Sequence, residues 1–319
     1  MTALPYLLHG TTLALAWFLI FNLAATAAIA LLSPRLTARA GAASPGFWLA
    51  LRLAPAALSL AFVAAVFLPS YWRYEPREFV EGFDLSLTTL AALALVVVAA
   101  ATSRGASAWR RAERRTAAWM RAGRPLTLPG TPMPAFVIDA EAPVMALVGV
   151  LRPRLLITRP VLDALTGEEL GAAAAHELGH WRAFDNLKRL AMCAAPDLLF
   201  ATAAARVLER RWAAASEHAA DRGAGDTGQS RCALASALVK VARLTPPVTS
   251  LAEPISALID GGDITARVHH LLDDAPPAAA RRAGRWLALA IPAAVLAAGY
   301  APLLRLVHGA TEILVNGLP

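Results

Sequence analysis

Residues 5–32, PYLLHGTTLALAWFLIFNLAATAAIALL, carry no formal charge over a stretch long enough to cross a lipid bilayer. A helix that is apolar on every side must be buried, either in lipid or inside a large protein core. Two further runs follow, 47–69 with only Arg52 and 85–102 with no charge, and a fourth lies at 286–304. Each reaches the roughly 18 residues that a hydrocarbon core of about 30 Å demands. The first run is too long for a signal peptide and lacks a basic start, so it reads as a retained helix. Composition argues for lipid over a soluble core. Of the 319 residues 57% are hydrophobic and only 17% charged, where soluble domains hold about 25% charged.

Arginine placement orients these spans. Arg35 and Arg39 lie in the loop 33–46, and the segment 103–125 holds seven arginines against one glutamate. The 70–84 loop instead sets Arg73 and Arg77 against Glu75, Glu78, Glu81 and Asp84. Short basic loops stay cytoplasmic. The expected topology in a bacterial inner (plasma) membrane therefore has the N-terminus outside and the segment after 103 inside. Arg281, Arg282 and Arg285 flank the fourth run on that same side. The net charge of +7 is mostly this topological arginine. Beside a span, such charge binds anionic headgroups, and no direct nucleic-acid role is expected. Cys193 and Cys232 fit no metal-ligand spacing and lie where disulfides are rare; they read as small apolar fillers.

Three segments follow: 1–102 with three membrane helices, 103–283 as a cytoplasmic-face domain, and 284–319 with a last span and short tail. Within the middle one, 135–140, 143–150 and 154–158 are short, apolar and broken by turn residues, as a small sheet or hairpin would be. Residues 160–165 suit a helical turn. Thr166 followed three residues later by Glu169 is a capping-box pattern that opens a helix, and the alanines 172–175 propagate it. Residues 187–208 are apolar but interrupted by Lys188, Arg189, Pro196 and Asp197. Two helical segments kinked near Pro196 are expected, with a membrane-embedded hairpin as the alternative. The second segment continues through 208–224. A helix at about 229–244, a Pro-rich loop at 245–254 and a short amphipathic helix at 264–274 complete the domain.

The capped helix contains HELGH, residues 176–180. His176 and His180 lie one turn apart, so both imidazoles project from one face and can share one metal ion. Glu177 is rotated by about 100° and can reach a metal-bound water as general base. Chance supplies about 0.006 copies of HExxH in such a composition. A catalytic zinc needs a third protein ligand. Asp185, Glu217, His218, Asp221, His269 and His270 are candidates. Asp185 follows His180 too closely to ligate unless the chain bends sharply, which favours a supporting role. Glu217 and Asp221 are four apart on one helix face: one can bind the metal while the other orients a ligand histidine. His218 is the reserve ligand, and His269-His270 reads as a surface pair.

HELGH followed by ASEHAADRGA, with Glu217 thirty-seven residues after His180, resembles the gluzincin membrane metallopeptidases. The stretch GVLRPRLLITRPVLDALTGEELGAAAAHELGHWRAFDN is similar to the BlaR/MecR-type peptidases, as is a layout of three spans before the domain and one after. EHAADRGA reads closer to the related HtpX and CAAX-prenyl-protease family. The resemblance implies His176, His180 and Glu217 as ligands of one Zn2+, Glu177 as catalytic base and Asp221 as the partner of a ligand histidine. The fold expected is a mainly α membrane protein: about four transmembrane helices plus an α+β zincin-like domain with a small β-sheet and the HExxH helix. With only 305–319 beyond the last run, no external sensor domain is expected.

The resulting expectation is a membrane-embedded zinc endopeptidase cleaving protein substrates at the cytoplasmic face. Its substrate would be a cytoplasmic repressor in regulated signalling or, alternatively, a membrane protein under quality control. A non-catalytic zinc-binding transducer is the reading from a different class. RLLIT at 154–158 is expected to be an exposed edge strand, with substrate added along Leu155, Leu156 and Ile157.

Overall fold

The computed structural model describes residues 3–40, 43–76, 85–225, 227–244, 256–257, 264–273 and 285–317. For residues 3, 256–257, 285–298 and 316–317 it describes the backbone alone. The expected loop 245–254, most of the acidic loop and Arg281 and Arg282 lie outside the described residues.

The early apolar runs are helical, as a backbone in lipid must be to satisfy its own hydrogen bonds. Helix α1 spans Ala3–Arg39. Helix α2, Pro45–Phe62, is capped by Ser44, whose Oγ accepts the Phe47 N–H at 3.3 Å. It continues through a π turn at Val63–Phe67 into α3, Leu68–Tyr74. Pro69 has no N–H to offer the Ala65 carbonyl, and the Tyr300 hydroxyl donates to that carbonyl instead at 2.5 Å. Helix α4 runs unbroken over Leu85–Ala122, so position 102/103 falls inside one helix. Three helices among the described residues are thus long and apolar enough to cross a membrane, consistent with an integral membrane protein.

A five-stranded sheet follows. Its strands β1 (Arg124–Leu126), β2 (Ala135–Ile138), β3 (Met145–Val148), β4 (Arg154–Thr158) and β5 (Ser256–Ala257) are ordered β1-β2-β4-β3-β5. β2 and β4 are parallel and the other pairs antiparallel. Three of these strands were expected; β1 and β5 were not, being too short to show a pattern. The edge position expected for RLLIT is wrong. β4 is the central strand, hydrogen-bonded on both sides, and Leu155, Leu156 and Ile157 are fully buried. Leu155 and Ile157 pack toward the domain's helices, and Leu156 packs toward Trp119 and Met120 of α4. A continuous apolar run is what a strand covered on both faces needs, and no free backbone is left there for a substrate to pair with.

The helices α5 (Arg159–Ala164), α6 (Gly167–Ala183), α7 (Asp185–Ala194), α8 (Ala203–Ala224), α9 (Gly228–Leu244), α10 (Ile264–Leu272) and α11 (Arg285–Gly317) complete the described chain. The fourth apolar run lies in α11. The break expected near Pro196 is present between α7 and α8, and the membrane helices hold it. The Asn22 side chain in mid-α1 donates to the Pro196 carbonyl at 2.9 Å and accepts the Leu198 N–H at 3.0 Å. Arg52 of α2, 1% exposed, reaches Asp197 at 3.0 Å, Glu209 at 2.7 Å and the Met192 carbonyl at 3.1 Å. Gly105 of α4 lets α7 pass so close that an added Cβ would sit 2.6 Å from the Ala194 Cβ. The membrane helices and the HELGH domain are therefore joined by buried polar contacts as well as by packing. Cys193 and Cys232 are both exposed thiols and do not fill the core.

Candidate metal centre

Helix α6 starts where its sequence says it should. Thr166 Oγ1 accepts the Glu169 N–H at 3.4 Å, and the Glu169 carboxylate accepts the Thr166 N–H at 2.8 Å, so two otherwise orphaned donors are satisfied. Glu169 also accepts from Ser236 at 2.6 Å and Lys240 at 2.7 Å on α9. Those contacts hold its carboxyl down at about 2, overcoming the upward push of burial. The helix start is thereby pinned to α9, and its alanine face packs into the core under the sheet. This fixes where the residues two turns later must point.

His176 and His180 present their rings edge to face, with centroids 4.8 Å apart. Between them Gly179 faces Ala220 of α8. A Cβ there would lie 3.2 Å from the Ala220 Cα and 3.3 Å from its Cβ, so glycine sets how near α8 can come. That approach brings in Glu217. Its Oε2 lies 3.4 Å from His176 Nε2, its Oε1 lies 3.4 Å from His180 Nε2, and the two Nε2 atoms are 3.2 Å apart. His176, His180 and Glu217 form a buried group able to hold a metal ion.

The other ring nitrogens face carboxylates. Asp221, one turn beyond Glu217, places Oδ1 2.8 Å from His176 Nδ1. Asp185 places Oδ2 2.8 Å from His180 Nδ1. The sharp bend that Asp185 requires is made by Phe184, the one non-glycine residue with positive φ among those described, at 57°. A left-handed residue costs about 1–2 kcal/mol, and here it ends α6 and turns Asp185 back onto the helix it follows. Ser216 and Lys188 also donate to Asp185.

Glu177 lies on the sheet side. Its Oε2 accepts the Leu147 N–H of β3 at 3.1 Å, while its Oε1 is buried with no partner. Asn186 locks the same strand by donating to the Leu147 and Gly149 carbonyls, each at 2.9 Å. Burial pushes the Glu177 carboxyl up to about 7. His180 moves the other way from what burial alone would do: hydrogen bonds to Asp185 and Glu217 raise it to about 10. His176 is raised against burial by Asp221 and Glu217. Despite burial, Glu217 is held well below the usual carboxylate range by the two imidazoles. Asp221 is likewise lowered by His176 and Arg267, and Asp185 by His180 and Ser216.

These atoms fit a divalent cation. With each Nδ1 turned to a carboxylate, the two Nε2 atoms and the Glu217 carboxylate face one another, so a divalent cation can take the place of the imidazole protons that answer Glu217. Ligands at about 2.0–2.1 Å in a tetrahedron lie about 3.3–3.4 Å from one another, close to the three observed separations. The Glu177 carboxyl interacts electrostatically with all three side chains, those of His180, His176 and Glu217.

Arg267 of α10 completes the cluster and escaped the sequence reading. It reaches Asp221 with two nitrogens at 2.6 and 2.9 Å and Glu217 Oε2 at 3.0 Å. Its signal was present: Ile264, Val268 and Leu271 mark the apolar face of α10, and Arg267 falls on it. A charge on a buried face needs a buried partner. Leu147 and Asn186 left no such signal. His218 pairs with His270 at 5.2 Å between ring centroids, not with the His176 group. Leu155, Leu156 and Ile157 lie in the sheet core and not at the cluster.

No curated protein matches the chain. The profile described as Peptidase family M48 matches residues 106–284 of the 319, more than half the chain and every side chain in the cluster. By that match the protein belongs to peptidase family M48, whose members are zinc-dependent metallopeptidases.

Proposed function

We propose that this chain is a membrane-embedded zinc endopeptidase of HExxH gluzincin type, with its active site at the cytoplasmic face. The observation carrying this is the near-equilateral set of donor atoms on His176, His180 and Glu217 beside an unpartnered Glu177 oxygen. His176, His180 and Glu217 hold one zinc, and Asp221 and Asp185 fix the two imidazoles through their Nδ1 atoms. Bound zinc supplies Lewis acidity toward a carbonyl oxygen and toward water. Glu177 Oε1 takes the proton of the attacking water and returns it to the leaving amine. Arg267 compensates the charge on Asp221 and Glu217, so that the acidic pair tolerates burial.

Arginine placement supports a cytoplasmic site. Arg104, at the end of the apolar part of α4, donates to the Ala195 carbonyl at 3.0 Å, which favours the break at 195–201 lying within the inner half of the bilayer. Regulated cleavage of a protein, such as a repressor, is favoured over constitutive quality control by two features. None of the cluster residues is more than 3% exposed, so substrate enters only after packed elements separate. Asn22 and Arg52 also connect the membrane helices directly to the α7–α8 break, and α7 begins with Asp185. The test is a substrate-trapping pull-down from native membranes with Glu177→Gln against wild type. Enrichment of a cytoplasmic regulator supports this reading, and a broad set of damaged membrane proteins points to quality control. If Glu177→Gln leaves the cellular phenotype unchanged, the zinc-binding transducer replaces both.

A further inference from the structure

A second cluster of metal-ligating side chains lies far from the first. Glu75 follows the end of α3, and His308 and Glu312 are one turn apart on α11, so both face α3. One donor atom from each lies within 4.8 Å of the others. His308 Nδ1 is 3.8 Å from Glu75 Oε2, and both side chains are largely shielded, at 26% and 13% exposure. The helix Pro45–Tyr74 is 30 residues long, roughly 45 Å at 1.5 Å per residue. Its Pro45 end lines a cavity with Asp185 and Ser216; its other end carries Glu75. The two clusters thus sit at opposite ends of the membrane helices.

We propose that Glu75, His308 and Glu312 form a divalent-metal site of zinc class, in addition to the peptidase ion, that ties α11 to α3. One imidazole nitrogen and two carboxylates are a donor set that zinc and its neighbours accept. The ligands are already positioned. Tyr74 stacks on the His308 ring with centroids 5.7 Å apart. Ser70 donates to the Leu304 carbonyl at 2.7 Å, and Trp17 donates to Thr311 at 3.1 Å, which fixes the α11 backbone on both sides of His308. Donors within 4.8 Å of one another must close by about 1.5 Å to reach the roughly 3.3 Å ligand spacing around a shared ion. The donor set leaves at least one coordination position to water.

Metal content of the purified full-length protein tests this, after equilibration with zinc and removal of excess. Wild type should hold two zinc ions, and His308→Ala, Glu312→Gln and Glu75→Gln one each. His176→Ala/His180→Ala should keep one, and adding His308→Ala should remove it. Cobalt in the His176→Ala/His180→Ala protein should give visible absorption that His308→Ala abolishes, an observation independent of peptidase activity. One ion in wild type and none in His176→Ala/His180→Ala overturns the proposal while leaving the peptidase reading intact. So does a second ion that survives all three distal substitutions.

Discussion

Glu177→Gln in metal-stripped protein isolates the stored cost of the proposed base. Glu177 is fully buried, and its carboxyl is raised from 4.5 to about 7 chiefly by that burial. At 1.36 kcal/mol per pKa unit, the difference corresponds to about 3 kcal/mol. The sign follows from proton linkage. The folded state binds this proton more tightly than the unfolded state, so wild type loses stability as pH rises from about 4.5 to about 7 and remains low above. Glutamine has no proton to lose, and it keeps an oxygen for the Leu147 N–H. Any fixed cost of its extra N–H is the same at every pH and cancels between two pH values. The stability of Glu177→Gln relative to wild type should therefore grow by about 2–3 kcal/mol between pH 5 and pH 8. That corresponds to roughly 5–10 °C in melting temperature for a unit of this size. The assay is thermal unfolding in detergent after chelation, at both pH values. Parallel profiles for the two proteins would refute the argument that burial destabilises the Glu177 carboxylate.

Zinc must displace the proton held by His180, which is raised to about 10, so zinc affinity should fall at least about tenfold per pH unit as pH drops below 8; a calorimetric titration showing pH-independent affinity contradicts the assignment. Arg52→Ala leaves Asp197, fully buried, without its cation and should cost about 3–5 kcal/mol, read by chemical unfolding. A loss below 1 kcal/mol would mean that the α2–α7/α8 join contributes little. Gly179→Ala pushes on Ala220 at 3.2–3.3 Å, shifts Glu217 away from the histidines and should weaken zinc binding about tenfold by competition with a chelator, with little change if α8 yields elsewhere.

The zinc helix was legible because its signals are local: a capping box, an alanine run and two histidines one turn apart. Glu217 and Asp221 were legible as a pair because helical spacing puts them on one face. Arg267 is a charge on the apolar face of α10, which marks it as buried, but helical spacing alone does not name Asp221 and Glu217 as its partners. RLLIT lies at the centre of the sheet and not at its edge because an unbroken apolar run suits a strand covered on both faces. Arg52 stood out as a lone charge in a span, but nothing in the sequence named Asp197 and Glu209 as its partners. Those contacts join residues more than 140 positions apart, and only the fold brings them together.

The most direct test measures zinc content and peptide-bond cleavage together in wild type, Glu177→Gln and His176→Ala, with casein or a captured substrate. Wild type should bind zinc at the His176–His180–Glu217 site and cleave. Glu177→Gln should keep that zinc and lose cleavage by about 100-fold or more, and His176→Ala should lose both. Cleavage by Glu177→Gln at the wild-type rate, with zinc in place, would contradict the account at its centre.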